Sequence, residues 1–285
     1  MLNININHYI HSFVQRLNNL YRGIAYRYMP QNNSSVEKKN KGFSSVNIEQ
    51  PDIILDGCIP IINGKGNKII IWENGVSKEL SVGMRIKEFS EIIMDGNDNI
   101  LELYMPIVGR NNKLHMRGDR HYCKIEPTFK FWDNLIDLLT WDTHIIIGQN
   151  TSLRNSIVTS SDNASIEIGK ECMIAAATIH QTDFHSIIDL DTGKVTNIPY
   201  RTLHIGDRVW LAEQCLILKN SFIPNGCIVA ARAVVCKKFE EDNCIIAGNP
   251  AQIVKKRVTW DRTGAIFYEK NGPWVYQNYS SVNRE

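Results

Sequence analysis

From Ile205 onward an aliphatic residue stands at every sixth position: Ile205, Leu211, Ile217, Ile223, Val229 and Val235. Four residues after each of the first five comes a small or β-branched residue: Val209, Cys215, Ser221, Cys227 and Ala233. The same register occurs earlier at Ile147/Thr151, Ile168/Cys172 and Ile174/Thr178. A hexapeptide period with a second position in phase is the signature of a parallel β-helix. One residue per hexad fills a narrow prism, and the small residue lets the chain turn a corner. Each coil buries its apolar edge only against the coils above and below, so the repeats must stack to be stable.

The rest of residues 52–255 is compatible with that plan. Short β-branched runs, such as Lys68–Ile71, Ile100–Leu103, His144–Ile147 and Ser165–Ile168, alternate with turn-forming pairs such as Gly66-Asn67, Gly96-Asn97 and Gly118-Asp119. Strands this short and numerous argue for an all-β repeat rather than βαβ units. Residues 1–29 read differently. Ile6, Ile10, Phe13, Val14, Leu17, Leu20, Tyr21, Ile24 and Tyr28 recur at helical spacing and predict an amphipathic helix over 4–29. Its apolar face would pack on its own domain or a neighbouring subunit. Alternatively, because Arg16, Arg22 and Arg27 accompany that face, it would lie on a membrane surface. Residues 30–51, rich in Asn, Ser and Lys, read as a linker, and 256–285 as a C-terminal extension.

Composition narrows the function classes. Hydrophobic residues are 43% and charged residues 22% of the 285, ordinary for a globular domain, and the net charge of +2 gives no reason to expect a nucleic-acid partner. No apolar run approaches the roughly 18 residues that span a bilayer. The polar N-terminus lacks the pattern of a secretory signal. The seven cysteines form no CxxC pair and have no histidine spaced for zinc, so no metal site is expected. Several occupy hexad corners as small apolar residues, which fits a reduced, cytoplasmic setting.

Ile168-Gly169, Ile205-Gly206-Asp207-Arg208-Val209-Trp210-Leu211 and Ala247-Gly248-Asn249-Pro250-Ala251 resemble the hexapeptide-repeat acyltransferases. His180-Gln181-Thr182-Asp183-Phe184-His185-Ser186-Ile187, followed by Asp189-Leu190-Asp191-Thr192-Gly193, is similar to the bacterial capsular polysaccharide and sialic-acid O-acetyltransferases. The resemblance is specific over about residues 140–255 and looser over 52–140. It implies a left-handed parallel β-helix, a handedness opposite to the general crossover preference. It also implies acetyl-CoA as donor, a carbohydrate acceptor and a homotrimer.

Acetyl transfer from a thioester to a hydroxyl needs a base for the hydroxyl proton, donors for the oxyanion, and a surface for the CoA arm. Eight histidines are available. His8 and His11 lie in the helix, and His115, His121, His144 and His204 on or beside strands. His180 and His185 flank an insertion that breaks the hexad register between Ile174 and Ile205, where binding residues of a solenoid are expected. In the resembling family the catalytic histidine follows Ser/Thr-Asp-x, which points to His185; the plain alternative is an exposed loop histidine. Asp183 could orient the imidazole or merely cap a turn. If the segment were one continuous strand, His180 and His185 would face opposite sides, leaving His180 to position the acceptor. Tyr200 and Arg201, at the end of the insertion, are further candidate acceptor contacts. The resemblance also implies a functional Trp210, whose N–H could serve the oxyanion and whose face could meet a sugar ring; burial between subunits is the alternative.

Candidate donor contacts are Ala212, Ala230, Ala231 and Arg232, then Lys237, Lys238, Lys255 and Arg257 for the phosphates. The family usually has a Gly-Ser pair where Arg232 stands. The expected function is therefore O-acetylation of a capsular or lipopolysaccharide sugar. Its rivals are an N-acetyltransferase of an amino sugar-nucleotide on the same fold and a non-catalytic β-helical scaffold.

Overall fold

A two-residue strand can send one side chain inward and one outward, and the hexads do this. A computed structural model describes residues 57–81, 83–199 and 202–273. In it Ile205, Leu211, Ile217, Ile223, Val229 and Val235 are all fully buried, and they fall on three sheets in rotation. Val209, Cys215, Ser221, Cys227 and Ala233 fill the corners, each at most 1% exposed. Three hexads make one coil, so the architecture is the expected all-β parallel β-helix.

The first sheet stacks β1 (Ile61–Asn63), β4 (Phe89–Asp95), β7 (Asn112–Asp119), β10 (Leu135–Trp141), β13 (Ile157–Ser161), β16 (Thr178–Gln181), β19 (Leu216–Ile217) and β22 (Val234–Val235). The second stacks β2 (Lys68–Glu73), β5 (Ile100–Tyr104), β8 (Tyr122–Ile125), β11 (His144–Ile147), β14 (Ser165–Ile168), β17 (Thr202–Ile205) and β20 (Phe222–Ile223), with β3 (Val76–Glu79) antiparallel at its edge. The four β-branched runs singled out from the sequence all belong to this sheet. The third stacks β6 (Ile107–Arg110), β9 (Thr128–Trp132), β12 (Ser152–Arg154), β15 (Met173–Ala175), β18 (Trp210–Leu211), β21 (Ile228–Val229) and β23 (Cys244–Gly248). It ends in β24 (Ala251–Lys256), which runs antiparallel to β23. The helix α1 (Ala265–Asn271) lies in the C-terminal extension. The proposed helix at 4–29 and the linker at 30–51 lie outside the described residues.

The core is a single column of aliphatic side chains running the length of the prism. Gly-Asn and Gly-Asp turns permit close stacking at one edge. Gly96 and Gly118 have φ of 128° and 130°, and a Cβ on either would fall within 2 Å of the carbonyl oxygen of the coil above. Two insertions lengthen coils among the described residues: the β3 hairpin of the first coil and a longer one between β16 and β17. Strands β16 and β17 are successive faces of one coil, yet the chain between them leaves the prism and returns as a separate arm.

Candidate functional site

The arm comprises Thr182–Arg201, of which Tyr200 and Arg201 lie outside the described residues. It leaves the first sheet at a tight bend. Thr182 Oγ1 accepts the Phe184 N–H at 3.0 Å, and Phe184 takes a left-handed φ of 61°. His185 N then donates to Asp183 O at 2.7 Å. The segment is therefore not a continuous strand, and the parity argument that set His180 against His185 does not apply. His180, on β16, is half-buried with its ring edge-on to Phe184 at 5.7 Å; burial pushes its imidazole below the ordinary histidine range, against the opposing pull of Asp137. His185 stands exposed on the arm.

Beyond His185 the arm forms a small hairpin. Ile188 and Val195 pair antiparallel, and Asp189 accepts the N–H and hydroxyl of Thr192, each at 2.7 Å, to close the tip. Phe184, Ile187, Ile188, Leu190, Val195 and Ile198 are exposed along it.

Asn197 closes the arm on itself, and Lys219 ties it to the prism. Asn197 Nδ2 donates to His185 O at 2.8 Å and to Asp183 Oδ2 at 2.7 Å, and Asn197 Oδ1 accepts Ile187 N–H at 2.8 Å. Lys219, on the coil above, donates to Asn197 O at 2.8 Å and pairs with Asp183 Oδ2 at 2.5 Å. Burial works against the charge on Asp183. The hydrogen bonds from Lys219 and Asn197 and the charge of Lys219 outweigh it and hold the carboxyl below the usual carboxylate range. The clasp is thus closed at neutral pH. The bonds of Asp183 run to Asn197 and Lys219, and through Asn197 to the backbone carbonyl of His185. Neither Asn197 nor Lys219 carries a motif signal, and only the fold brings them together.

Trp210 begins β18, on the third sheet, whereas His185 follows β16 on the first. The structure does not bring the two together within one prism. Trp210 faces outward and is half-buried, with Met173 and Ile228 at the paired positions below and above. Next to it runs a column of alanines: Ala175, Ala212, Ala230 and Ala247, each the outward residue after a buried aliphatic one. Backbone bonds from Ala212 N to Val229 O and from Ala230 N to Ile246 O, both 2.9 Å, continue the ladder through these positions. A smooth strip of backbone and methyl groups results, running along the helix axis.

Of the predicted donor contacts, Ala212 and Ala230 lie on this strip, while Ala231 and Arg232 are exposed at the next corner, with Arg232 Nε bonded to Gln214 at 2.9 Å. Cations gather where the strip ends. Lys237 Nζ reaches Gln252, the antiparallel partner of Ala247, at 2.6 Å, and Lys255 is the partner of Ile245. Lys238 and Arg257 are exposed nearby in sequence. Lys256 is bridged to Glu241. Sequence reasoning missed Trp260 and Arg262 of the C-terminal extension, which fold back beside Trp210. The aromatic residues of that extension, Trp260 among them, were the available hint.

Comparison with known proteins agrees with this fold. A polysialic acid O-acetyltransferase of Neisseria meningitidis is 33% identical over 174 residues, 55% of this chain and 79% of that protein. A polysialic acid O-acetyltransferase of Escherichia coli O1:K1 is 28% identical over 143 residues, 50% of this chain but only 45% of the relative. The crystal structure of the polysialic acid O-acetyltransferase OatWY superposes with a TM-score of 0.51 at 26% identity, covering 75% of this chain and 97% of that one. No family model matches the chain.

Proposed function

Because the chain belongs to the family of bacterial hexapeptide-repeat O-acetyltransferases that includes the polysialic acid O-acetyltransferases, we propose that it moves an acetyl group from acetyl-CoA to a hydroxyl of a capsular or lipopolysaccharide sugar. The observation that carries this reading is the clasped arm. Among the described residues the longest insertion in the solenoid holds an exposed histidine whose backbone is fixed by Asn197, Asp183 and Lys219.

In this reading the imidazole of His185 takes the proton of the acceptor hydroxyl as the oxygen attacks the thioester carbonyl. The Trp210 indole N–H donates to the oxyanion of the tetrahedral intermediate. Collapse breaks the C–S bond, and the imidazolium returns its proton to the departing CoA thiolate. The pantetheine arm would lie on the alanine strip, its thioester toward Trp210 and its phosphates toward Lys237 and Lys255.

Because the arm of His185 leaves the first sheet while Trp210 lies on the third, a complete site would draw them from adjacent prisms. The exposed apolar side chains of the arm would then meet the neighbour. We therefore propose a homotrimer of about three times 32.6 kDa, working in the cytoplasm, where acetyl-CoA is made. A light-scattering mass of one chain at full activity would remove this part of the proposal.

The activity is tested with radiolabelled acetyl-CoA and a panel of purified bacterial glycans. Transfer should be seen, and mild alkali should release the label as acetate, as an ester requires and an amide does not permit. His185→Ala should lower kcat by roughly a hundredfold or more, with little change in acetyl-CoA affinity. An alkali-stable product would make the protein an N-acetyltransferase. Failure to bind acetyl-CoA would leave a scaffold.

A further inference from the structure

Trp210 is flanked on its own sheet by Met173 and Ile228, but its aromatic neighbour comes from outside the solenoid. After β24 the chain turns back and runs against the direction of coil stacking. Val258 N bonds Asn243 O at 2.9 Å, Trp260 sits beside Arg208, and Arg262 reaches the corners before β12 and β15. Trp260 is only 7% exposed, although it lies on an outer surface. Its ring centroid is 6.1 Å from that of Trp210, with the planes tilted by 50°.

The attachment is reciprocal. Trp260 Nε1 donates to Arg208 O at 2.6 Å, and the Arg208 guanidinium donates to Trp260 O at 3.3 Å. Arg262 anchors the strap further along. It donates to Ser152 Oγ at 2.8 Å and to the carbonyls of Cys172, Glu171 and Asn150 at 2.7, 3.2 and 3.2 Å. The same guanidinium lies over the rings of Phe129 and Trp260, at 4.7 and 5.6 Å. So many directed bonds on so short a segment fix Trp260 as firmly as a core residue.

We propose that Trp260 is a positioning residue for Trp210: the strap forms a fixed wall that sets the Trp210 indole at the head of the alanine strip. The physical reason is rotational. An exposed indole on a flat sheet can adopt several χ1 and χ2 combinations, and its N–H samples each of them. With Met173 below, Ile228 above and Trp260 beside it, most of those orientations collide with side chains that cannot move. An oxyanion donor is effective only when it is already aimed before charge develops. Trp260 touches neither donor nor acceptor in this scheme. The proposal rests on the reading of Trp210 as the oxyanion donor.

The test is a double-mutant cycle on the full-length protein with acetyl-CoA and a glycan acceptor. Trp260→Ala should lower kcat about tenfold, a coupling within the usual range for touching residues, with KM for acetyl-CoA little changed. Trp260→Phe, which keeps an aromatic wall, should recover most of the rate. In a Trp210→Phe background Trp260→Ala should cost less than about twofold more, because its target is gone. If Trp260→Ala proves insoluble, Trp260→Leu fills the gap with an apolar but rotatable group and should show the same dependence on Trp210. Equal losses in both backgrounds, or a wild-type kcat in Trp260→Ala, would overturn the proposal while Trp210 keeps its role. A fully active Trp210→Phe would instead remove the reading of Trp210 itself, and the positioning role with it.

Discussion

Between the first coil, which its β2–β3 hairpin lengthens to an offset of 32 residues, and the arm, successive coils are offset by 21 or 22; above the arm, by 17 or 18. The corners differ in the same way. Along the edge before the first sheet, the inward side chains run Asn112, Asn134, Ser156, Ala177, Cys215 and Ala233 from bottom to top. Along the edge before the second they run Asn67, Asn99, His121, Thr143 and Ala164. Along the third edge Thr151 gives way to Cys172, Val209, Cys227 and Cys244. Toward the top the amides and the imidazole of the first two edges and the threonine of the third give way to the smaller Ala, Cys, Val and Ser, of which Ser221 still donates to Val235 O at 3.1 Å and Cys172 Sγ to Gly206 O at 3.1 Å.

The longer coils account for the polar half of each series. A wider turn leaves backbone N–H and C=O groups facing inward that a tight hexad corner would pair with the next coil, and buried backbone groups need partners. The asparagines supply them. Asn134 Nδ2 donates to Asn112 Oδ1 and Leu153 O, both 2.9 Å, while its Oδ1 accepts Ser156 N–H at 3.1 Å. Asn99 bonds Gly118 O at 2.9 Å and receives His121 N–H at 2.8 Å. The lower coils are thus built on stacked polar plugs. The upper coils, built on Cys, Ala, Val and Ser, have short corners and carry the alanine strip and Trp210.

The largest expected effect breaks a plug. Asn134→Leu keeps the volume but strands Leu153 O and Ser156 N–H in the interior, at about 1–3 kcal/mol for each unsatisfied group, and leaves Asn112 Oδ1 only the backbone N–H of residue 134. A loss of about 4 kcal/mol should lower the melting temperature by roughly 10 °C. Activity per folded molecule should be unchanged, because the clasp and the strip lie above. A melting temperature within about 2 °C of wild type would mean that the lower corners do not depend on their asparagines.

The converse substitution should cost somewhat less. Cys215→Asn places a plug in a corner where Cys215 N and Leu216 N already have backbone partners, so a polar group would be buried with nothing to bond. A penalty of about 2–3 kcal/mol is expected. Here activity should fall too, because Cys215 opens the coil that ends in Lys219 and so feeds the clasp. If Asn is tolerated at 215, coil length rather than corner chemistry separates the two halves.

The same contrast explains what could be read in the sequence. The upper coils repeat every six residues with one residue type in and another at the corner, so their fold was legible from Ile205, Leu211 and their successors. In the lower coils a period of 22 divides into unequal runs, and the corner asparagines look like surface turn residues. Only the β-branched runs betrayed those strands. Of the site, His185, Trp210, Ala212 and Ala230 were marked by motif or by period. Asn197, Lys219 and Trp260 were not, because their positions depend on where an arm and a tail return. Such contacts span 12 to 52 residues with no period linking them.

The smallest expected effect is acid sensitivity confined to the lower coils. His121 is the plug between Asn99 and Thr143. It is 1% exposed, and its Nδ1 lies 3.3 Å from the Thr143 N–H, which it accepts. A protonated ring would carry hydrogen on that nitrogen and lose the bond. Burial pushes the imidazole below its ordinary value of 6.5, with His144 acting in the same direction and Asp119 and Asp142 pulling the other way. The unfolded chain therefore binds a proton that the folded chain resists. The stability His121 contributes is complete above about pH 7. It begins to fall as pH drops past 6.5, and the loss ends once pH passes the lower, folded-state value. Each unit of depression is worth about 1.4 kcal/mol, or roughly 2–4 °C in a chain of this size. His121→Asn, which continues the ladder with the residue used one coil below, should fold at neutral pH and lose less on acidification from pH 7.5 to 5.5. His180, also depressed by burial, should preserve part of the slope. Identical pH dependence of melting in the two proteins would show that the buried plug at 121 does not couple proton binding to the stacking of the lower coils.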